Sequence, residues 1–322
     1  MAPEPYLARL TAKLAAGLQQ KPASFRERHA GYVLSCQNAD GGFGGRDSAS
    51  DLYYTGFALR CLVLLDELTQ RIAERTAGYL RSRLSGQATP IDFFSLLYSC
   101  LLIQTTTGID VLEGVAEDWP ERVVGLLESF RSKDGGYGKS PGATAGSTYH
   151  TFLVALCYQL LNRPLPDAGA IVSFIRSRRR ADGGFVEIGP MKRSGTNPTA
   201  AAVGILQIAE QLHEDELNSV SLFLVGLQSP EGGLRANNVA PAADLLSTFT
   251  GCWTLSEFGN LGSIDIEAAL KYVKTLERPD GGFHGGAWDG GFDVEYTFYG
   301  LGALSLLEPL ATSPSNSSST IG

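Results

Sequence analysis

The chain has 322 residues, of which 43% are hydrophobic and 19% charged, so it holds enough apolar material for one large domain or two average ones and is not a disordered polymer. A net charge of −8 excludes a basic nucleic-acid surface as the main partner. No run of about 18 apolar residues occurs, so no membrane span is expected.

The first twenty residues carry Arg9 and Lys13 and lack the continuous apolar core of a signal peptide. They read as an amphipathic helix with Leu7, Leu10 and Leu14 on one face, and residues 1–22 are expected to pack outside the main fold. The turn Asp40-Gly41-Gly42-Phe43 follows, and the same signal returns as Asp134-Gly135-Gly136-Tyr137, Asp182-Gly183-Gly184-Phe185, Glu231-Gly232-Gly233-Leu234 and Asp280-Gly281-Gly282-Phe283. One copy has decayed to Arg83-Leu84-Ser85-Gly86-Gln87. After each copy a polar residue opens an apolar helix. These openers are Asp51, Asp92, Ser147, Asn197, Asp244 and Asp293, separated by 41, 55, 50, 47 and 49 residues. Repetition at near-constant length marks a repeat architecture.

The helices so predicted are Asp51–Leu65, Asp92–Ile103, Ser147–Leu161, Asn197–Leu212, Asp244–Phe258 and Asp293–Leu307. They are apolar nearly all round, with few charges, Arg60, Glu210, Glu257 and Glu295 among them. Helices of that kind are buried on every side. An amphipathic helix precedes each turn: Ala23–Cys36, Thr69–Leu84, Pro120–Phe130, Asp167–Ser177, Glu214–Leu227 and Asp265–Leu276. The expected fold is all-α, a single (α/α)6 toroid over residues 23–311 with six inner and six outer helices. Its inner helices run parallel, so their caps, their positive ends and the glycine loops share one end, where a site belongs. The Ser-rich stretch 312–322 is expected to be a disordered tail. Five cysteines without Cys-x-x-Cys spacing read as free thiols, which with the rest predicts a soluble cytoplasmic protein.

Repeated Asp-Gly-Gly-aromatic turns feeding apolar helices resemble the β subunits of protein prenyltransferases, closest to the type II geranylgeranyltransferase, and the β domains of terpene cyclases. The likeness extends from Ala23 to about Leu307, and Asp51-Leu52-Tyr53-Tyr54-Thr55 and Asp293-Val294-Glu295-Tyr296-Thr297 resemble that β subunit's inner-helix starts. It implies a prenyl diphosphate or other isoprenoid held in an apolar funnel lined here by Tyr53, Tyr54, Phe94, Tyr149, Phe249, Trp253 and Phe298, and a helical-repeat α subunit as partner. It also implies a zinc ion on Asp-x-Cys of the fifth inner helix and a His of the sixth. Here Asp244 keeps the first place, while Leu246 and Tyr296 replace the other two ligands, so no metal or other cofactor is expected. Cys252, about 12 Å deeper along the helix, is too far away to substitute. The diphosphate-binding cations of the family have no direct match. Lys192, Arg193 and Arg235 lie within a few residues of those places, either as a substitute clamp or as solvated loop charge.

A second chemistry stays open. Class II terpene cyclases protonate their substrate with the middle acid of Asp-x-Asp-Asp-Thr, which Asp293-Val294-Glu295-Tyr296-Thr297 resembles, with Glu295 as donor. Otherwise Asp293 is a helix cap and Glu295 a paired charge. A non-catalytic binding or scaffold toroid is the third reading. His150, at the same repeat position as Tyr54, Ser247 and Tyr296, is expected at the cavity mouth as a wall residue or a ligand. No Gly-x-Ser-x-Gly motif and no nucleotide-binding glycine loop is present.

Overall fold

Apolar character on all sides forces the inner helices into the middle, and six of them close a ring. They are α3 (Leu52–Leu64), α5 (Pro90–Thr107), α7 (Thr148–Leu160), α9 (Thr196–Ile208), α11 (Leu245–Glu257) and α13 (Val294–Thr312), each packed on the next and α13 on α3. The computed structural model describes residues 4–46, 49–86 and 89–312. Outside the ring stand α2 (Ala23–Ser35), α4 (Gln70–Ser82), α6 (Trp119–Glu128), α8 (Ala168–Ser177), α10 (Glu214–Val225) and α12 (Ile266–Thr275). The fold is the all-α (α/α)6 toroid that the repeats predict, with two short antiparallel ribbons, β1 (Phe43–Gly44) with β2 (Ser50–Asp51) and β3 (Phe283–Gly286) with β4 (Asp289–Asp293). The expected tail lies outside the described residues, except that Thr312 ends α13.

The N-terminal helix α1 (Tyr6–Leu18) is not an outer appendage. It lies against α13, α3 and α9, all inner helices, across their C-terminal ends. Arg9 pairs with Glu257 at 3.0 Å, and Lys13 donates to the Ser256 carbonyl at 3.1 Å. Its apolar face has nowhere else to be buried, because the outer layer is already filled by the six amphipathic helices.

Asp51, Ser147, Asp244 and Asp293 cap their helices as predicted, each accepting from a first-turn N–H. Two openers move. Thr89, not Asp92, caps α5, with Asp92 as the reciprocal acceptor of a capping box. Gly195, not Asn197, precedes α9, and the Asn197 carboxamide instead accepts from Thr250 Oγ1 at 2.7 Å.

With these starts the repeat rule sharpens. Four residues after each cap stands a threonine, except in α5: Thr55, Thr151, Thr199, Thr248 and Thr297, all buried. In four repeats its hydroxyl accepts the buried N–H of the turn aromatic or leucine, Phe43, Tyr137, Phe185 and Leu234, at 2.9–3.0 Å. Each of the five intact turns also lies on the following outer helix. Gly232, at φ +101°, would put a Cβ 2.1 Å from the Ala268 carbonyl oxygen, and Gly281, at φ +91°, 2.4 Å from that of Arg28. Only glycine fits both the conformation and the approach. A ring from that outer helix covers the second glycine: Tyr79, Phe174, Phe223, Tyr272 and, across the seam, Tyr32.

At the seam α2 replaces a seventh outer helix. The Gly282 N–H donates to Nδ1 of buried His29 at 3.1 Å, which leaves Nε2 to donate to Glu277. Arg28 pairs with the same carboxylate, whose pKa falls to about 2 because the His29 and Arg28 bonds outweigh its burial.

Candidate functional site

The positions facing the ring axis follow from helix geometry. At about 100° per residue, positions two, five, six and nine after a cap share one face. Those positions supply most of the wall of one cavity of about 450 Å³. The second-position residues are Tyr53, Tyr149, Asn197, Leu246 and Glu295 at the mouth. Below them lie Phe94, Phe249 and Phe298, then Phe57 and Tyr299, and at the ninth position Arg60, Tyr98, Leu156 and Trp253. Tyr6, Leu7 and Leu10 of α1 form the floor, where Tyr6 Oη accepts from Trp253 Nε1 at 2.7 Å. The volume lies in the range of small-molecule pockets.

The lining is aromatic and interlocked. Phe249 meets Phe298 at 5.4 Å between centroids and stacks on Tyr299 at 5.6 Å, while Phe57 meets Phe298 at 5.6 Å. Two acids face this space. Glu295 Oε1 accepts from Tyr53 Oη at 2.7 Å and from Tyr299 Oη at 2.9 Å. Burial raises the Glu295 pKa above the ordinary carboxylate value, against the lowering effect of those two hydroxyls. Glu187, on the loop before α9, accepts from Ser147 Oγ and from the Tyr149 N–H at 3.2 Å.

The structure thus brings Tyr53, Phe94, Tyr149, Phe249, Trp253, Phe298 and Glu295 to one cavity and leaves the other candidates elsewhere. Tyr54, His150 and Tyr296 occupy the third position after their caps, about 100° from the face that forms the wall, and none of them lines the cavity. The ring of Tyr54 lies against Gly45 and that of Tyr296 against Gly285, with the Arg46 guanidinium 5.1 Å from the Tyr296 centroid. His150 Nδ1 bonds Ser147 Oγ at 2.8 Å and Nε2 is buried without a partner. Lys192 and Arg193 are exposed on the loop before α9, and Arg235 turns back to the Leu227 carbonyl at 3.4 Å. Asp293 is buried and paired with Arg46 Nε at 3.2 Å. Arg60 and Glu187, by contrast, carry no motif. Arg60 is visible in the sequence as a charge inside an apolar helix, and Glu187 as an acid two residues beyond a turn aromatic.

The residues at the zinc positions do not fit that ion. The Asp244 carboxylate accepts from the Ser247 N–H at 2.7 Å and its hydroxyl at 2.8 Å, Leu246 offers only carbon, and Tyr296 is engaged with Arg46. A tetrahedral site needs thiolate, imidazole or further carboxylate ligands. Among the described residues no three His, Cys, Asp or Glu side chains gather to supply them.

A closed ring of parallel inner helices around an apolar cavity with a floor defines an α/α toroid. The chain belongs to the prenyltransferase α/α-toroid domain family, whose model matches residues 6–88, 73–240 and 199–321. It is 24% identical over 221 residues to the geranylgeranyl transferase type-2 subunit beta of Saccharomyces cerevisiae, a match covering 66% of each chain, just under two thirds of the yeast protein. Among solved structures it is similar to the Candida albicans protein geranylgeranyltransferase-I complexed with GGPP, at TM-score 0.69 and 15% identity, covering 87% of this chain and 90% of that one. A type II terpene cyclase from Scytonema gives TM-score 0.60 at 12% identity, covering 93% and 98%. An α-1,6-mannanase of Salegentibacter gives 0.59 at 12%, covering 89% and 99%. Similarity at these identities speaks for the fold alone. No helix among the described residues is long and apolar enough to cross a membrane.

Proposed function

We propose that this toroid binds an isoprenoid chain in its central cavity and does not carry out zinc-dependent cysteine prenylation. The observation that carries the reading is the wall itself, a floored space of about 450 Å³ faced by Phe57, Phe94, Phe249, Trp253 and Phe298. Burying an apolar chain there gains about 25 cal/mol for each Å² removed from water. Membership of the family, and the GGPP named with the Candida structure, support an isoprenoid over other apolar ligands. The donor set at positions 244, 246 and 296 supports the loss of zinc chemistry. Free cysteines, four of the five buried, support a cytoplasmic location. Exposed apolar side chains on the loops at the mouth end, Met191, Val239 and Trp288, support a protein partner there, a helical α-type subunit being the one that family membership suggests.

Titration of the purified protein with farnesyl and geranylgeranyl ligands, followed by Trp253 fluorescence, tests the reading. Saturable binding that Ala201→Phe abolishes is expected, because Ala201 lines the cavity. Binding unchanged in that variant places the ligand elsewhere.

Acid chemistry by Glu295 is the second reading, favoured by the raised pKa of that carboxyl. Against it stands Arg60, whose guanidinium already occupies the aromatic box that a carbocation would need for stabilisation.

A further inference from the structure

We infer that the occupant of this cavity is a long-chain carboxylate, or another chain with a single negative charge, whose head group pairs with Arg60 inside the toroid. The inference rests on the apolar-chain reading above and adds the chemistry of the head.

Arg60 stands at the ninth position after its cap, where the other wall helices place Tyr98, Leu156 and Trp253. Its guanidinium lies 4.4 Å from the Phe57 centroid, 5.1 Å from those of Phe94 and Tyr98, and 5.6 Å from that of Phe298. Nε is buried without a hydrogen-bond partner, and no carboxylate among the described residues lies within ion-pair distance. The guanidinium is only partly exposed, and Glu295 acts on it through space from beyond ion-pair distance. That carboxylate and the ring faces offset only part of the cost of taking it from water. An anionic ligand supplies what is missing.

The other cations near the mouth are engaged or turned away. Arg46 is paired with Asp289 and Asp293, Lys192 and Arg193 are exposed, and Arg235 bonds a carbonyl of its own turn. The cavity therefore offers one positive charge, and Glu187 and Glu295 share its wall. A diphosphate, with two or more negative charges, is repelled more strongly by those acids than a ligand with one charge, and has a single guanidinium to balance it. One carboxylate adds the least negative charge beside them and can engage that guanidinium through two parallel hydrogen bonds.

The test compares farnesol, farnesoic acid, palmitic acid and farnesyl diphosphate by calorimetry on wild-type protein, Arg60→Met and Arg60→Lys. Farnesoic acid is expected to bind about ten-fold or more tighter than farnesol in the wild type. Arg60→Met should erase that preference while keeping farnesol binding, and Arg60→Lys should restore part of it. Arg60→Met should also unfold at a higher temperature, whereas loss of a merely structural arginine would lower it. Equal binding of acid and alcohol, tightest binding of the diphosphate, or a preference that survives Arg60→Met overturns the head-group inference and leaves the isoprenoid reading intact. Palmitic acid bound more tightly than farnesoic acid supports the carboxylate at Arg60 and overturns the isoprenoid. Absence of binding by all four overturns both.

Discussion

Each repeat has a junction and a wall segment, and the two obey different rules. At the junctions the same parts recur: two glycines, a threonine four residues after the cap and an aromatic ring on the next outer helix. On the wall, equivalent positions diverge, so the second after the cap reads Tyr53, Ile91, Tyr149, Asn197, Leu246 and Glu295. Junctions answer to backbone geometry, and in the five intact repeats the first glycine of the pair has positive φ. Wall residues answer to whatever occupies the cavity. The decayed second junction shows that the junction parts form one unit. It lacks the glycine pair, has Phe93 in place of the threonine, and the position that carries the ring in the other repeats is Leu126 on its next outer helix, 51% exposed.

The sharpest way to break this contrast is to add one carbon at two glycines. Gly232→Ala drives a methyl into the Ala268 carbonyl and should cost on the order of 4 kcal/mol, read as a urea midpoint. Gly86→Ala at the decayed junction meets nothing within 4 Å, and should cost only about 1–2 kcal/mol for its positive φ. Equal losses would show that the intact junction carries no special packing. Thr248→Val comes next. It strands the buried Leu234 N–H and should cost about 1–3 kcal/mol by the same assay.

The seam responds to pH. Burial, with the Arg28 charge beside it, holds the His29 pKa below its ordinary value of 6.5 against the opposing bond to Glu277. The unfolded chain therefore takes up the proton first, and stability falls as pH drops from about 6.5 toward the folded value. Glu277, held at about 2, keeps its contribution above its unfolded value of 4.5 and loses it only as pH falls toward 2. A urea midpoint that declines between pH 7 and 5.5 is expected, and a flat one would remove His29 from the account.

The smallest effect belongs to the wall. The Glu295 pKa is raised, so the folded state holds its proton more tightly than the unfolded chain does, and stability is lost as pH rises through that interval. Glu295→Gln should raise the thermal midpoint at pH 8 on the order of 1–2 °C. A fall would mean that the ionised carboxylate holds the cavity together.

What the sequence made legible follows the same division. Six repeats, their parallel inner helices and the mouth end can be read from the glycine turns, because a reversal at positive φ leaves few residue choices. The caps of α5 and α9 are harder to read, since Asp92 and Asn197 are good caps in isolation and only the chain geometry selects Thr89 and Gly195. Tyr54, His150 and Tyr296 were expected at the cavity by analogy with motif positions, yet one helical step turns them aside. Arg60 lacks any motif because its meaning depends on four rings from three helices. The placing of α1 beneath the ring depends on where the inner helices end in space, which no local pattern displays.

A structure of the protein with farnesoic acid bound tests the central claim most directly. The account predicts the chain between Phe94, Phe249 and Trp253, its carboxylate on Arg60 and no metal at Asp244. A chain bound outside the ring, or a metal ion held by Asp244, would contradict it.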